Sequence, residues 1–598
     1  MIPSQSIPRP EHPRPDFRRD TYLNLNGQWQ FAFDDGNVGL RERWQESARA
    51  LDGQITVPFC YQCKASGIGS EDVHAILWYR RAFTVPQEML GGRVLLRFGA
   101  VDYQCMVFVN GMQVGQHTGG YTPFAIDVTD ALRDGDNDLC LRVLDTQDCA
   151  QPRGKQYWDR GLMGCWYTPV SGIWQTVYLE AVGEYALKQI HITPDVNAGV
   201  ATFALALDSV PTEPLTLELT ISFEGERKQC VTAVMQERKL SVPVSMIVKG
   251  GLDPVRLWSP DHPWLYDVQL RILKGASVCD TVHTYFGMRT IERKNGMVLL
   301  NNCPIYQRLV LDQGYWPDTL LTPPSDEALR EDVELTLALG YNGARKHQKL
   351  EDPRYYYWAD KLGMLVWGEV PSAYDFCDEM VANLSDTLLS FIDRDFNHPS
   401  LICWVPINES WGVSQIYKHK RQQETASMLY HLAKAADGTR LVSGNDGWEQ
   451  VETDICALHD YAAEKEVMEK HFADREHVEQ TACDWRMAWA DGHTPKGDEA
   501  FMITEYGGIA FATQGIQGAM GGMETWGYHD KVTDEETFFQ RFQAVTDAIR
   551  DIPYCQGYCY TQLTDVMQEI NGVLSPDRQP KVDIKRFAAL NHPPKGRA

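Results

Sequence analysis

Short apolar runs separated by turn residues dominate the first part of the chain, residues 1–183. They are rich in β-branched and aromatic residues, and several alternate in polarity, as half-buried strands do. The clearest runs are 29–33, 77–85, 93–98, 105–114 and 173–182. Asn110 and Gly111 mark a hairpin within one of them. Seven or more such strands predict a β-sandwich.

A second β region follows a break near Gly183 and extends over residues 184–287. Its runs again alternate in polarity, most clearly in 215–225 (LTLELTISFEG). A region of about 100 residues with this pattern has the size of an immunoglobulin-like sandwich. We therefore expect a second, smaller all-β domain.

The pattern changes from residue 288 onward, where short apolar runs alternate with helical segments. Residues 325–340 are typical of these helices, with Ser325 as the expected N-cap and acidic residues in the first turn. The apolar runs are 306–313, 342–347, 363–370, 401–409, 440–446, 455–461, 501–507 and 554–565. Eight strand–helix units over residues 288–598 predict a (β/α)8 barrel.

Charge and composition exclude several kinds of partner. The chain has 598 residues and a formal net charge of −25, which disfavours nucleic acids and anionic membranes as partners. No run approaches the roughly 20 apolar residues that span a bilayer, and the first residues show no apolar core of a signal peptide. The 15 cysteines, an odd number, favour reduced thiols. We therefore expect a cytoplasmic protein without a disulfide framework or a zinc site.

Aromatic residues are abundant, with 17 Trp in the chain. Sugar-binding proteins are often rich in Trp, because the apolar face of a pyranose packs on an aromatic ring. A large, well-filled β-core gives the same composition. The Trp count alone therefore does not decide between the two.

Carboxylates end several of the predicted barrel strands, and the C-terminal strand ends are where such barrels carry out chemistry. Glu409 ends strand 4 and Glu505 ends strand 7, so the two face each other across the barrel. Such a pair suits a glycosidic bond, with a separation of about 5–5.5 Å for a retaining mechanism and about 6.5–9.5 Å for an inverting one. An acidic residue at a strand end is more often a helix N-cap or a solvated charge. The buried strands before both glutamates favour catalysis, since a lone buried carboxylate is costly. The other polar strand ends are Asp312, Gln313, Arg345, Lys346, His347, Glu369, Asn408, Asn445, Asp446, His459, Asp460, Tyr461 and Asp565.

The motifs around these residues are similar to those of glycoside hydrolase family 2. Residues 395–412 (DFNHPSLICWVPINESWG) resemble its acid/base signature, and residues 342–369 resemble its second signature. The resemblance covers the whole chain. It implies a jelly-roll sandwich of the sugar-binding type (1–183), an immunoglobulin-like sandwich (184–287) and a catalytic (β/α)8 barrel (288–598).

The resemblance also implies roles for the residues at the matching positions. Glu409 would be the general acid/base and Glu505 the nucleophile. Asn408 would bind the sugar 2-hydroxyl, a contact that strengthens in the oxocarbenium-like transition state. Arg345 would lie beneath the nucleophile and keep its pKa low.

Further residues are expected to bind the substrate. His347 matches the family histidine near the terminal sugar, although a buried core histidine is the alternative. Tyr461 is expected to hydrogen-bond the nucleophile. Asp312, Gln313 and Asp446 are candidate sugar contacts. The tryptophans in predicted loops over the barrel mouth, any of which could stack on a sugar, are Trp411, Trp448, Trp485 and Trp526.

The sequence departs from the family pattern at two places. Lys346-His347-Gln348-Lys349 replaces the usual Ser-His-Tyr-Pro, so the sugar pocket is expected to differ at strand 2. Family members that cleave β-glucuronides carry an Asn-x-Lys pair late in the barrel, whereas Asn571 is followed here by Gly and Val. This difference argues against a glucuronidase, although Lys346 or Lys349 could supply the cation instead.

These observations predict a retaining exo-β-glycosidase, with β-galactosidase as the leading activity. The alternatives within the family are β-glucuronidase or β-galacturonidase, α-L-arabinosidase and β-mannosidase. The alternative of another class is a non-catalytic carbohydrate-binding protein, but such a protein has no reason to keep both Glu409 and Glu505. We expect a carbohydrate with a terminal β-linked sugar as the partner, no cofactor and no metal ion. A homo-oligomer is compatible with the sequence.

Overall fold

The structure is a computed structural model of the 598-residue chain. It describes every residue except 1–6, 47–48, 159–163, 249–252, 481, 484–485, 513–523 and 595–598. As predicted, a β-sandwich, an immunoglobulin-like sandwich and a barrel follow one another along the chain. Among the described helices, none has the length and apolar character needed to cross a membrane.

The first sandwich consists of a four-stranded and a six-stranded sheet. Its strands are β1 (Tyr22–Asn24), β2 (Gly27–Phe33), β3 (Gly53–Val57), β4 (Ile76–Thr84), β5 (Arg93–Phe98), β6 (Val101–Asp102), β7 (Gln104–Val109), β8 (Met112–Thr118), β9 (Phe124–Asp127), β10 (Asp136–Leu144), β11 (Gly172–Ile173) and β12 (Val177–Val182). The sheets have the strand orders β1-β12-β5-β9 and β3-β2-β4-β10-β7-β8, and β6 and β11 form a separate two-stranded pair. Every second residue of β5 is buried, because side chains of a strand alternate between core and solvent.

The second sandwich pairs a three-stranded sheet with a four-stranded sheet. Its strands are β13 (Leu187–Asp195), β14 (Val200–Leu207), β15 (Leu215–Phe223), β16 (Glu226–Met235), β17 (Lys239–Ser245), β18 (Tyr266–Lys274) and β19 (Ser277–Phe286). The strand orders are β13-β14-β17 and β16-β15-β18-β19. Burial alternates along all of β15, which was the clearest alternating run in the sequence.

A small sheet precedes the barrel and is formed by β20 (Ile291–Lys294), β21 (Met297–Leu300) and β22 (Cys303–Pro304). The barrel strands are β23 (Gln307–Asp312), β24 (Gly343–Lys346), β25 (Leu365–Glu369), β26 (Leu401–Val405), β27 (Leu441–Val442), β28 (Ile455–Asp460), β31 (Ala500–Gly507) and β32 (Cys555–Thr561), and a short hairpin is formed by β29 (Ala482–Cys483) and β30 (Arg486–Met487). All eight predicted runs form barrel strands, which pair in parallel in the order β27-β26-β25-β24-β23-β32-β31-β28. A bridge between Gly447 and Leu458 joins the two ends of this sheet.

The described helices are α1 (Asp326–Ala338), α2 (Pro353–Leu362), α3 (Asp378–Asp395), α4 (Lys420–Ala436), α5 (Lys465–His471), α6 (Arg475–Gln480), α7 (Glu535–Asp551) and α8 (Ile584–Leu590). The Ser325 side chain accepts the Ala328 N–H at 3.2 Å, so it caps α1 as predicted. All residues of β25 and β26 are buried, because helices cover one face of these strands and the barrel interior the other.

A loop of the first sandwich reaches across to the barrel. This loop, which we call the sandwich loop, connects β10 to β11, and its described residues are 145–158 and 164–171. The N–H groups of Arg153 and Gly154 donate to the Ser372 carbonyl at 2.8 and 2.9 Å. Since Ser372 follows β25, these bonds hold the sandwich loop at the C-terminal end of the barrel strands.

Candidate active site

The predicted nucleophile, Glu505, lies near the C-terminal end of β31 and is 4% exposed. Arg345 Nη1 donates to its Oε1 at 2.9 Å, and the Tyr461 hydroxyl donates to its Oε2. The structure thus brings to this carboxylate the two side chains that the family resemblance placed there. Because each oxygen has its own donor, the carboxylate is fixed in one orientation.

Arg345 is completely buried and forms ion pairs with several acidic residues. Its Nε donates to Glu369 Oε2 at 2.8 Å, and its Nη1 lies 3.2 Å from Asp446 Oδ1. Burial lowers the pKa of Arg345, but Asp446, Glu369 and Glu505 raise it well above its ordinary value. The guanidinium is therefore a fixed positive charge, and it holds the ends of strands β24, β25 and β31 together.

Glu409, the predicted acid/base, follows β26 in a left-handed backbone conformation, with φ of +51°. Its N–H donates to the Asp446 carbonyl at 2.8 Å, and its Oε1 lies 2.9 Å from His459 Nδ1. Burial raises the pKa of Glu409, but the hydrogen bond with His459 and the surrounding positive charges outweigh burial and lower it. A general acid must hold a proton, so the protonation of Glu409 depends on its contact with His459.

His459 lies between the two predicted catalytic carboxylates. Its Nε2 is 2.8 Å from Asp446 Oδ1 and 3.6 Å from Glu505 Oε1, while Nδ1 faces Glu409. Burial lowers the pKa of His459, but Glu505, Asp446 and Glu409 raise it to about 9. The raised pKa of His459 and the lowered pKa of Glu409 both favour a protonated imidazole beside an ionised Glu409 at neutral pH. One oxygen of Glu409 and one of Glu505 lie within 4.8 Å of each other and of a ring nitrogen of His459.

Two predicted sugar contacts have buried polar atoms without a hydrogen-bond partner among the described residues. Asn408 accepts a hydrogen bond from Arg345 through Oδ1, and its Nδ2 has no partner. Gln313 donates from Nε2 to Tyr167 Oη and Gln562 Oε1, both at 3.0 Å, and its Oε1 has no partner. Buried polar atoms are rarely left unpaired, so both side chains are suited to bind a polar ligand.

His347 lies beside Arg345 and is almost completely enclosed, with 3% exposure. Its Nδ1 is 3.1 Å from Glu369 Oε1. Burial and the positive charges of Lys155 and Arg345 hold the pKa of His347 well below its ordinary value, so its imidazole is neutral. Burial raises the pKa of Glu369 to about 7, although the charge of Arg345 opposes this shift.

The two lysines of strand 2, which the sequence offered as alternative cations for an acidic sugar, belong to a buried ion cluster. Lys346 Nζ lies 2.8 Å from Asp312 Oδ2 and 2.8 Å from Glu351 Oε2. Lys349 Nζ lies 2.8 Å from the same Glu351 oxygen and donates to the Leu321 carbonyl. Asp312, predicted as a sugar contact, is 1% exposed and pairs with Lys346. These charges neutralise one another within the cluster.

Asp446 and Trp448 lie next to His459. Asp446 is fully buried and also accepts a hydrogen bond from the Ser443 hydroxyl at 2.8 Å. Trp448 is 8% exposed, and its ring centroid lies 5.6 Å from that of His459. Trp485, also predicted over the barrel mouth, lies outside the described residues.

The other two predicted mouth tryptophans contact the sandwich loop. The ring of Trp411 lies 5.1 Å from the ring of Trp166. Trp526 Nε1 donates to the Gly164 carbonyl at 2.8 Å. Both rings therefore pack at the boundary between the first sandwich and the barrel.

Sequence reasoning missed the residues that the sandwich loop brings to the site. The Tyr167 hydroxyl donates to Glu569 Oε2 at 2.6 Å, across 402 residues of chain. Lys155 is 6% exposed, and its charge acts on Glu409 and Glu569. No local pattern indicates a contact between positions so far apart. The sequence places His459 only at a strand end. Its spacing of two from Tyr461, which directly follows β28, is the signal that puts both side chains on one side of the chain.

Comparison with known proteins identifies the family. Residues 22–181 match the sugar-binding domain of glycosyl hydrolases family 2, residues 185–289 match the domain described as glycosyl hydrolases family 2, and residues 294–590 match the family's TIM barrel domain. The three matches follow one another over nearly the whole chain. The chain belongs to glycosyl hydrolases family 2.

Individual relatives carry two different names. A β-galactosidase of Thermoanaerobacter pseudethanolicus is 27% identical over 72% of this chain and 57% of its own length. A putative β-glucuronidase of Formosa agariphila is 26% identical over 70% of this chain and 49% of its own length. The matches thus span about half the length of these relatives. The crystal structure of Ruminococcus gnavus β-glucuronidase has a TM-score of 0.77 at 18% identity, covering 98% of this chain and 100% of that one, which shows the shared fold.

Proposed function

We propose that the protein is a retaining exo-β-glycosidase. The observation that carries the proposal is the pair of carboxylates at the ends of two barrel strands, with oxygens of Glu409 and Glu505 within 4.8 Å of each other. Retaining enzymes hold their two carboxyl groups about 5–5.5 Å apart, whereas inverting enzymes need about 6.5–9.5 Å to admit a water molecule. The short separation supports the retaining reaction.

In the proposed first step, Glu505 attacks the anomeric carbon of the terminal sugar. The bond to the leaving oxygen breaks, and Glu409 transfers a proton to that oxygen. In the second step, water attacks the anomeric carbon of the glycosyl–Glu505 ester, the bond to Glu505 breaks and releases the carboxylate, and Glu409 removes a proton from the water. Arg345 and Tyr461 hold Glu505 in place, and Asn408 has an amide donor that has no partner among the described residues and suits a sugar hydroxyl.

We propose a terminal β-galactoside as the first substrate to test. Two observations support a neutral sugar. The position two residues after Asn571 is not a lysine, and Lys346 and Lys349 are paired with acidic residues. A β-glucuronide is the second candidate, because the charge of Lys155 acts on Glu409 from the first sandwich. The relatives' names support both candidates equally.

A panel of 4-nitrophenyl glycosides tests the activity. It contains the β-galactoside, β-glucuronide, β-galacturonide, β-glucoside, α-L-arabinoside and β-mannoside. We expect hydrolysis of the β-galactoside or the β-glucuronide, with release of the β-anomer as the first product. Release of the α-anomer would contradict the retaining mechanism, and a failure to cleave any of the six would contradict the exo-glycosidase.

Two variants test the assigned roles. Glu505→Ala and Glu409→Ala should each lower kcat by several orders of magnitude without loss of folded structure. Added azide should then yield the α-glycosyl azide with the first variant and the β-glycosyl azide with the second, since the small anion replaces the missing nucleophile or the deprotonated water. Glu499→Gln is the matched control. Glu499 is a buried carboxylate just before the same strand, bound to the Lys496 and Gly497 N–H groups, so its loss should leave the chemistry unchanged.

A further inference from the structure

Lys155 is held rigidly at the boundary between the first sandwich and the barrel. Its carbonyl accepts the Tyr167 N–H at 2.8 Å, and the preceding residue, Gly154, donates to the Ser372 carbonyl. The Tyr374 hydroxyl donates to the Gly154 carbonyl. The backbone of Lys155 is thus fixed from both sides, and its side chain is 94% buried, that is 6% exposed.

Among the residues that the structure describes, no carboxylate forms an ion pair with the ammonium group of Lys155. Its hydrogen-bond partner is the uncharged Cys165 thiol. Its further electrostatic neighbours are the Tyr374 hydroxyl and the carboxylates of Glu409 and Glu569. A buried cation that no carboxylate neutralises directly is costly, so this arrangement needs an explanation.

The other buried lysines of the described barrel show what a structural lysine looks like in this protein. Lys346 and Lys349 each lie 2.8 Å from a carboxylate oxygen, and Lys581 lies 2.7 Å from Asp565. Each of them also neutralises its partner. Lys155 differs because the nearest carboxylates are beyond ion-pair distance and one of them is the predicted acid/base.

The surroundings of Lys155 contain polar atoms without partners. Glu569 accepts hydrogen bonds from Tyr167 and from Asn571, and Asn571 Oδ1 has no partner among the described residues. Gln313 Oε1, which also belongs to a side chain bound to Tyr167, has none. The charge of Lys155 acts on Glu569, and the two unpaired acceptors belong to side chains that hydrogen-bond Glu569 or Tyr167. Lys155 and these acceptors suit a ligand that carries both acceptor and donor oxygens, as a sugar does.

We propose that Lys155 of the first sandwich is a substrate-contacting residue, whose ammonium donates to an oxygen of the terminal sugar beside Glu409. This inference rests on the glycosidase function proposed above and adds a contact from outside the barrel. The acceptor is an oxygen of the sugar, either a hydroxyl of a neutral sugar or the carboxylate of an acidic one. A charge-assisted hydrogen bond of this kind favours binding and orientation of the sugar.

Two variants test the contact. Lys155→Met keeps the length of the side chain and removes its charge, and Lys155→Arg keeps the charge in another geometry. With the full-length protein and the substrate of the panel that is cleaved best, we expect Lys155→Met to lower kcat/KM about 10- to 100-fold, mainly through KM. Lys155→Arg should recover part of this loss. If the acceptor is a carboxylate, the loss is confined to acidic substrates; if it is a hydroxyl, it extends to neutral ones.

Thermal unfolding separates this role from a purely structural one. Removing this cation leaves no carboxylate of the described residues without an ion-pair partner, so the Tm of Lys155→Met should stay unchanged or rise. Lys581→Met is the structural control and should lower the Tm, because it leaves Asp565 buried without its cation. A change in the pH profile without a change in KM would mean that Lys155 acts only through the charge of Glu409, and it would overturn the contact. So would a kcat/KM within threefold of the wild type.

The test also distinguishes failure of this inference from failure of the proposed function. If the wild type cleaves no substrate, the glycosidase proposal fails. We therefore measure in parallel whether free galactose or free glucuronate raises the Tm of the wild type and of Lys155→Met. Protection that is lost in Lys155→Met supports the contact, and equal protection or none in both proteins refutes it.

Discussion

Replacing His459 with Asn tests the proton that His459 and Glu409 share. Burial lowers the pKa of His459, but Glu505, Asp446 and Glu409 raise it to about 9, against an ordinary value of about 6.5. This difference of roughly 2.5 pKa units corresponds to about 3 kcal/mol of stability. Because the folded-state pKa is the higher one, the stabilisation is complete below about pH 6.5 and is lost as the pH rises through 9.

The assay is thermal unfolding of the wild type and of His459→Asn between pH 6 and pH 10. A domain of about 300 residues has an unfolding entropy near 0.6 kcal/mol/K, so about 3 kcal/mol corresponds to a Tm change of about 5 °C. We expect the Tm difference between the two proteins to shrink by about this amount over the pH range. Parallel curves of Tm against pH would refute the reasoning, because the charged form of His459 would then add nothing to stability.

The same variant gives a kinetic result. In the wild type the alkaline limb of kcat/KM should lie near pH 9, where the His459–Glu409 pair loses the proton that the leaving oxygen needs. Without His459 the carboxyl group must hold this proton alone, so the alkaline limb should move to lower pH by more than one unit. An unchanged alkaline limb would show that the imidazole takes no part in proton transfer.

Two further substitutions test the positions of the nucleophile and of the sandwich loop. Tyr461→Phe removes the hydroxyl that donates to Glu505, so kcat/KM should fall about 10- to 100-fold at nearly constant Tm; steady-state kinetics that match the wild type would contradict this contact. Gly154→Ala puts a Cβ 2.2 Å from the Gln348 carbonyl oxygen, so it should raise KM. Gly135→Ala is the control for backbone strain, because Gly135 also has a positive φ (+83°, against +60° for Gly154) but an added Cβ there meets no atom within 4 Å. Equal KM values in the two variants would count against loop docking.

The parts of the protein that follow local rules were predictable from its sequence. Every barrel strand shows an apolar run that ends in polar residues, which places Glu505, Arg345 and Tyr461 at the same end of the barrel. The contacts of Arg345 and Tyr461 with Glu505 were implied by the resemblance to glycoside hydrolase family 2, and the structure contains both contacts. The roles of Lys346 and Lys349 were not predictable in this way. Whether a lysine binds a ligand or a buried carboxylate depends on the packing of distant residues, which no local pattern records.

The choice of sugar is expected to depend on the first sandwich as much as on the barrel. The barrel supplies the carboxylate pair, while its own strand-2 lysines are neutralised by Asp312 and Glu351. The sandwich loop supplies Lys155, a cation that forms no ion pair with a carboxylate of the described residues, and Tyr167, which holds Glu569 at the barrel mouth. We therefore expect the positive charge that Lys155 offers to a substrate to come from a different domain than the one that carries the chemistry. Docking of the sandwich loop is expected to affect specificity more than the reaction, because Arg345 and Tyr461, which contact the nucleophile, both belong to the barrel.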